Sequence, residues 1–353
     1  MVVARRSPMK AMLTGVFGAA LLGAVFSKPL ASRGVSSWIQ SSLSKSCPSC
    51  KLKLKHFEFV SWFPLKVLVE GADFTDSPQS NPAVHFTLGR AEGQVSTLSL
   101  FQKGPTVESL RMGQLHVTVY EPEGSNPNSG PPFPKSCEAL KGFPAMKVGK
   151  IEVRDSHFTY QHQVRKQRSE INVYKVHADV ESFVTRPELQ APGVSARVKA
   201  KTYAQLEKTG KVMLSIQFDP FIEKNQDEII IDIQGLRLGD LRPFFKIDGG
   251  VELEGVLRKG RATMNLSEGR LTGKMLASYR DLELFHHMTP DRGFIKNTLS
   301  NLVATITLTK TRPRKEEKGP PVVGISAQRE PWEPITQLLI RGLKAAVEKI
   351  IQG

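Results

Sequence analysis

The stretch Leu115-His-Val-Thr-Val-Tyr120 decides the fold class, because its side chains alternate between apolar and polar types. A period of two is typical of a β-strand with one face in a core and the other in water. Short turn signals such as Asp248-Gly-Gly250 favour antiparallel hairpins. Similar runs recur from residue 52 to about residue 310, at Leu65–Glu70, Lys150–Asp155, Val212–Phe218, Glu228–Ile233, Gly250–Gly255, Arg270–Met275 and Leu302–Leu308.

The basic excess of the chain is concentrated at its N-terminus. The 353 residues hold 49 Lys and Arg against 34 Asp and Glu, and nine of the basic residues but no acid fall within residues 1–57. They flank Ala11–Phe26, an uncharged run that would span about 24 Å as a helix. This pattern predicts a membrane-directed segment with a cytoplasmic N-terminus. It is either an uncleaved signal anchor, which we favour, or a cleaved signal peptide, and it argues against a nucleic-acid partner.

The three cysteines predict a structural disulfide. Cys47-Pro-Ser-Cys50 is a CxxC motif, and Cys137 is the third cysteine. The motif precedes an alternating strand and no βαβ pattern surrounds it, which disfavours a thioredoxin-like redox role. Neither a second CxxC nor a close His pair completes a zinc site. The alternatives are a local Cys47–Cys50 bridge or one link to Cys137.

Motifs that carry catalysis are missing from the sequence. It contains no GxxxxGK[ST] phosphate loop, no GxSxG nucleophile elbow and no HExxH zinc helix. His157, His162 and His177 would meet only by tertiary coincidence, because no regular element pairs them. We therefore predict a protein that is not an enzyme, with no catalytic residue, no cofactor and no metal site.

Residues 332–353 predict an amphipathic helix, because apolar residues recur at spacings of three and four. The other side of the helix carries three basic residues and one acid, Arg341, Lys344, Glu348 and Lys349. Its apolar face either lies on a membrane surface or caps an open end of the sheet, and we favour the cap. The face consists of Trp332, Ile335, Leu338, Leu339, Leu343, Val347 and Ile350.

Several stretches resemble the AsmA-like superfamily of Gram-negative envelope proteins, in particular a group described only as a domain of unknown function. The resemblance is carried by PLKVLVEGADFTD (Pro64–Asp76), by Gly89–Gly124 and by MKVGKIEVRDSHFTY (Met146–Tyr160), and it persists more weakly over Gly249–Leu284. The resemblance implies an inner-membrane anchor and an elongated periplasmic β-groove. It also implies a role in envelope lipid homeostasis or outer-membrane biogenesis.

These observations combine into one prediction of fold. We expect a mostly β protein in which an elongated, curved antiparallel sheet forms an open β-groove, with an N-terminal membrane helix and a C-terminal amphipathic helix. The expected divisions are an anchor or signal segment (1–31), a first β unit (32–124), a Pro-rich connection (125–145), a second β-groove unit (146–311), a charged Pro-rich linker (312–331) and the amphipathic helix (332–353).

The expected function follows from the resemblance and the N-terminal segment. We expect a single-pass inner-membrane protein with most of its chain in the periplasm, or a periplasmic protein if the segment is cleaved. Its expected partners are the inner membrane, phospholipid or another acyl lipid, and an envelope protein. The leading hypothesis is lipid binding, or support of envelope lipid assembly, through an apolar β-groove. The alternative is a structural module that docks a protein partner through its sheet edges and C-terminal helix.

Overall fold

The computed structural model of the chain contains one large sheet of twelve strands. The residues that it describes are 37, 50–75, 83–101, 106–121, 145–164, 167–189, 197–219, 221, 227–242, 251–286, 322–329, 338, 339, 342, 343, 345 and 346. The strands are β1 Lys51–Trp62, β2 Leu65–Thr75, β3 Ala83–Val95, β4 Thr106–Glu121, β5 Lys147–Val164, β6 Gln167–Val184, β7 Val198–Leu206, β8 Gly210–Phe218, β9 Asp227–Arg237, β10 Val251–Ser267, β11 Arg270–His286 and β12 Val322–Gln328.

The spatial order of the strands is their order in the sequence, so β1 and β12 are the outermost strands of a curved, unclosed sheet. This confirms the expected mostly β fold. The N-terminal membrane helix and the C-terminal helix stay predictions as elements, because most of their residues lie outside the described part of the chain. Six residues between 338 and 346 are described, and all have helical backbone.

One neighbouring pair of strands differs from the antiparallel expectation, because β4 and β5 are parallel. Thr106 pairs with Lys147 at one end, and Glu121 pairs with His162 at the other. The chain between Glu121 and Lys147 therefore has to return to the end of the sheet at which β4 began. A tight hairpin cannot make that return, and the Pro-rich connection predicted over 125–145 falls in this interval.

The stretch 312–331, expected as a linker, contains β12. Its residues pair with the first half of β11, from Arg270–Gln328 to Leu276–Val322. Val323, Ile325 and Ala327 alternate with small and polar residues, which is the pattern of a half-buried strand. The charged and Pro-rich residues before β12 made the whole stretch look like a linker, so its short alternating pattern was not recognised as a strand.

A line of residues with left-handed backbone crosses the first half of the sheet. Gly71 on β2, Gln114 on β4, Asp155 on β5 and Lys175 on β6 have φ values of 64°, 55°, 48° and 50°. Between β2 and β4, Gly89 lies beside Gln114, whose Cβ would be 2.9 Å from a Cβ built on that glycine. We call this line the crease.

The crease changes which side chains point to which face of the sheet. On β2, Leu65 and Phe74 belong to the same buried cluster although one position is odd and the other even. A strict alternation would put them on opposite faces. The left-handed residue Gly71 between them reverses the alternation and also bends the strand, as a bulge does.

Candidate lipid-binding face

The register of the sheet places an unbroken row of residues without polar side chains across all twelve strands. Residues that pair directly on neighbouring strands share a face, so the successive pairs can be followed from β1 to β12. The row consists of Phe59, Val67, Gly93, Leu110, Ile151, Val180, Ala200, Ile216, Ile229, Met264, Gly273 and Ile325.

A second row runs beside the first on the same face, and Thr202 is its one polar member. We call the surface formed by the two rows the apolar face. At about 4.8 Å per strand it extends for about 53 Å across the sheet. The second row consists of Phe57, Val69, Ala91, Met112, Val153, Ala178, Thr202, Leu214, Ile231, Ala262, Met275 and Val323.

The row between these two points to the other side of the sheet, which we call the polar face. Seven of its twelve positions carry a charge, whereas neither row of the apolar face carries any. Its members are Glu58, Leu68, Glu92, Arg111, Glu152, Asp179, Lys201, Ser215, Ile230, Thr263, Lys274 and Gly324.

Two buried clusters cover the ends of the apolar face. The first joins strands β1 to β5 and includes Phe59, which is fully buried, and Val148. The second joins β9 to β12 with C-terminal residues and includes Met264 and Leu338, both fully buried. The apolar face is therefore packed against protein at both ends.

The centre of the apolar face belongs to neither cluster. Ala178 and Val180 on β6 and Ala200 and Thr202 on β7 are all half-buried. We call these four residues the central window. Their side chains are small, so they add little bulk to this part of the apolar face.

Three residues of the C-terminal segment pack on the β11–β12 end of the apolar face. Leu338, Gly342 and Ala346 are buried at a spacing of four residues, which is one side of a helix. A Cβ built on Gly342 would be 2.8 Å from Leu271 Cδ2 and 3.3 Å from Ile325 Cγ2. The close approach therefore depends on a glycine.

Only part of the predicted helix face can be placed. Leu338, Leu339 and Leu343 belong to the second cluster or pack against it. The sequence analysis did not single out Gly342, whose role depends on a tertiary contact. Trp332, Ile335, Val347 and Ile350 lie outside the described residues.

Cys50 is disulfide-bonded and buried in the first cluster. Both candidate partners, Cys47 and Cys137, lie outside the described residues. The pairing therefore stays a prediction with two alternatives.

An ionic network on the polar face joins β4, β5 and β6 at the parallel junction. Glu152 lies 2.9 Å from Arg111 Nε and 2.5 Å from Lys150 Nζ, and Arg154 contacts Asp179 at 2.7 Å. The hydrogen bond from Lys150 lowers the pKa of the Glu152 carboxyl below its usual value. All five side chains are thus occupied with one another, as expected of ion pairs that link strands.

A polar cluster next to the crease contains one of the three histidines considered above. The His157 ring stacks on Tyr174 with centroids 4.5 Å apart, and its Nε2 lies 3.3 Å from Asn172 Oδ1. The Asn172 backbone N–H donates to Glu207 Oε1 at 2.6 Å. Burial raises the pKa of both the Tyr174 hydroxyl and the Glu207 carboxyl.

This cluster fixes a turn and brings no reactive group into a cleft. The Thr159 hydroxyl donates to Asn172 Oδ1 at 3.0 Å, so its proton is already engaged. His177 Nε2 faces Asp155 Oδ1 at 3.7 Å. The side chain of His162 lies outside the described residues.

Within the described ranges, no group of three or more His, Cys, Asp or Glu side chains could hold a metal ion. No helix in that part of the chain is both long and apolar enough to cross a membrane. The predicted segment Ala11–Phe26 lies outside it.

No protein-family model matches the sequence, and a search of curated proteins finds no match.

Proposed function

We propose that this chain is a cell-envelope protein without enzymatic activity that binds acyl lipid on its apolar face and supports envelope or outer-membrane lipid assembly. The observation that carries the proposal is the pair of apolar rows that cross all twelve strands with Thr202 as their one polar side chain. Such a face needs an apolar cover, because a sheet buries its apolar side against another layer.

Hydrocarbon is a suitable cover for the central window. Buried clusters cover both ends of the apolar face, whereas the window residues between them belong to neither cluster. Covering apolar surface stabilises a complex by about 25 cal/mol per Å². An acyl chain has no polar groups that need hydrogen bonds, so it can lie across several strands without a specific polar contact.

The proposed location rests on the resemblance to AsmA-like proteins and on the N-terminal segment. In this proposal residues 1–31 hold the protein in the inner membrane and the sheet lies in the periplasm. The disulfide at Cys50 supports the periplasm, because disulfides persist in oxidising compartments. The buried contacts of Leu338 and Ala346 support a C-terminal cap over one end of the apolar face.

The length of the face limits what one molecule can do. About 53 Å across twelve strands is less than twice the roughly 30 Å hydrocarbon core of a bilayer. One chain can therefore shield an acyl chain, whereas bridging two membranes would need an envelope protein partner or several stacked copies. Transport between membranes is not part of the proposal for a single chain.

Two neighbouring positions on β7 provide the test, since they point to opposite faces. Thr202 belongs to the central window, and Tyr203 is 52% exposed on the polar face. The full chain, purified in detergent, is analysed for co-purifying lipid by mass spectrometry and for uptake of a fluorescent fatty-acid probe. Thr202→Glu should weaken uptake about tenfold or more, because a carboxylate in an apolar contact is costly. Tyr203→Glu should match the wild type.

Circular dichroism of both variants controls for the fold. A wild-type protein that carries no lipid and takes up no probe would contradict lipid binding, as would equal uptake by the two variants. Recovery of a stoichiometric protein partner without lipid would instead select the docking module.

A further inference from the structure

The two most exposed large apolar side chains of the described residues lie at the same end of the sheet. Phe63 is 81% exposed in the turn between β1 and β2, and Leu98 is 78% exposed in the 3-10 turn Thr97–Phe101 after β3. The two turns lie at the same end because one directly precedes β2 and the other follows β3, and Leu65 at the start of β2 pairs with Val95 at the end of β3. We call Phe63 and Leu98 the apolar tip.

The sequence around the apolar tip has the composition of a segment that contacts lipid. FVSWFPLK (59–66) and GQVSTLSLFQK (93–103) contain no acidic residue, and their one charged residue in each case is a lysine, Lys66 or Lys103. Aromatic residues mixed with lysines are typical of the membrane–water interface. At the opposite end, the connection from β2 to β3 reads DSPQSNP (76–82), which is polar and begins with an acid.

We propose that Phe63 and Leu98 insert into the headgroup region of an anionic lipid surface. Leaving two such side chains in water is unfavourable, and insertion removes their apolar area from water. Lys66, which is exposed, is the second residue of β2 and lies close enough to the turn to contact lipid phosphates. Neither segment adds an acid that an anionic surface would repel, and the carboxylate of the nearby Glu108 accepts a hydrogen bond from Gln94.

A lipid surface fits the tip better than a protein does. A stable protein interface buries about 800 Å² on each partner, whereas the tip consists of two side chains on two short turns. Lipid headgroups close around small protrusions and need no matching pocket. The inference goes beyond the proposed function, because insertion would take place even if the apolar face carried no lipid.

The experiment measures binding of the full chain to a second lipid surface. The protein is held in phosphatidylcholine nanodiscs, so that residues 11–26 already have lipid, and is mixed with sucrose-loaded vesicles of phosphatidylethanolamine and phosphatidylglycerol. Phe63→Ser/Leu98→Ser is compared with Tyr203→Ser/Met213→Ser. The control pair is also exposed, at 52% and 37%, but the two residues pair on the polar face.

The tip variant should pellet with the vesicles at about one tenth of the wild-type affinity, while the control variant binds as the wild type does. Equal binding by all three proteins would overturn the inference. A wild type that ignores vesicles but retains a protein through Phe63 and Leu98 would also overturn it.

Uptake of the fatty-acid probe on the same preparations separates the two proposals. The tip variant should keep uptake, because the central window lies on other strands. A wild type that binds vesicles through the tip but takes up no probe would contradict lipid binding on the apolar face and support the tip.

Discussion

Gly255 on β10 allows a direct test of the bulged geometry of the sheet. Its φ is 107°, a conformation that residues with a Cβ rarely adopt. A Cβ at this position would be 2.3 Å from the carbonyl oxygen of Asp281 and 2.8 Å from that of Arg280. Both atoms belong to the backbone of β11. The register of its pairing with β10 shifts between Glu254 and Val256 of β10. A side-chain rotation therefore cannot relieve the contact.

Two costs add up in Gly255→Ala. An L-residue in this backbone conformation costs about 1–3 kcal/mol, and forcing an extra carbon into an occupied space costs about 1–3 kcal/mol. The free energy of unfolding should therefore fall by about 2–6 kcal/mol. That loss is a large share of the usual stability of a folded domain.

Equilibrium urea unfolding of the full chain in detergent, followed by far-UV circular dichroism, measures the effect. Gly113→Ala is the matched control, because Gly113 has ordinary φ and nothing lies within 4 Å of its added Cβ. We expect the control to change stability by less than about 0.5 kcal/mol. A Gly255→Ala protein as stable as this control would refute the close approach of β10 and β11 at the bulge.

Two further predictions concern the C-terminal segment and the turn after β7. Gly342→Leu should push the segment away from Leu271 and speed amide hydrogen exchange over residues 338–346. The control is Gly324→Leu, whose Cβ meets nothing within 4 Å and which should leave that exchange unchanged. Equal exchange in the two variants would contradict the contact. Burial raises the pKa of Glu207, so the native state binds this proton more tightly than the unfolded state and loses stability as pH rises from the ordinary Glu range through the raised pKa. Glu207→Gln keeps an oxygen for the Asn172 N–H and should flatten that loss in a series of thermal midpoints against pH, whereas an unchanged pH dependence would contradict it.

The alternation of apolar and polar residues was enough to predict strands but not their lengths. The run Leu65–Glu70 is only the first half of β2, which continues to Thr75. The alternation changes phase at Gly71, so a pattern with a strict period of two ends there. Gln114 and Lys175 make the same reversal, and nothing in their side chains indicates left-handed backbone. A single sequence therefore leaves the crease hidden.

One trace of the crease is visible in the sequence in retrospect. Gly71 and Asp155 each precede a Phe-Thr pair by the same spacing, at Phe74-Thr75 and Phe158-Thr159. In the structure both residues have positive φ. Both strands thus resume their alternation on the far side of the crease with the same two residue types.

The candidate face was predictable one strand at a time. Each run showed which of its residues were apolar, but the two continuous rows depend on how twelve strands are aligned. The parallel pair β4–β5 is decisive here, because it places Leu110 beside Ile151 and Met112 beside Val153. A hairpin register between the same strands would be set by a turn that this chain does not have.

The crease and the apolar face depend on each other. If β2 kept a strict alternation through Gly71, Phe74 would point to the polar face while Leu65 stayed in the first cluster. Neighbouring strands reverse at the same level, so their apolar residues on both sides of the crease remain on one face. Selection for a continuous apolar surface on long, bent strands would therefore retain left-handed residues at matched positions, even where Gln or Lys adopts that backbone at some cost.

The two proposals together predict which end of the apolar face lies next to a lipid surface. Its rows begin at Phe59 and Phe57 on β1, the strand that leads into the turn with Phe63, and they end on β12, where the C-terminal segment packs. A tip inserted in a lipid surface would hold the β1 end of the face next to that surface. Because Phe57 and Phe59 are buried in the first cluster, lipid from that surface would first have to displace the cover of the β1 end before it moved along the rows toward the central window. A charge placed early in the rows should therefore slow entry, whereas Thr202→Glu should weaken retention. Comparing the on-rate and off-rate of the fatty-acid probe for Gly93→Glu and Thr202→Glu tests this order, and the same rate affected in both variants would contradict it.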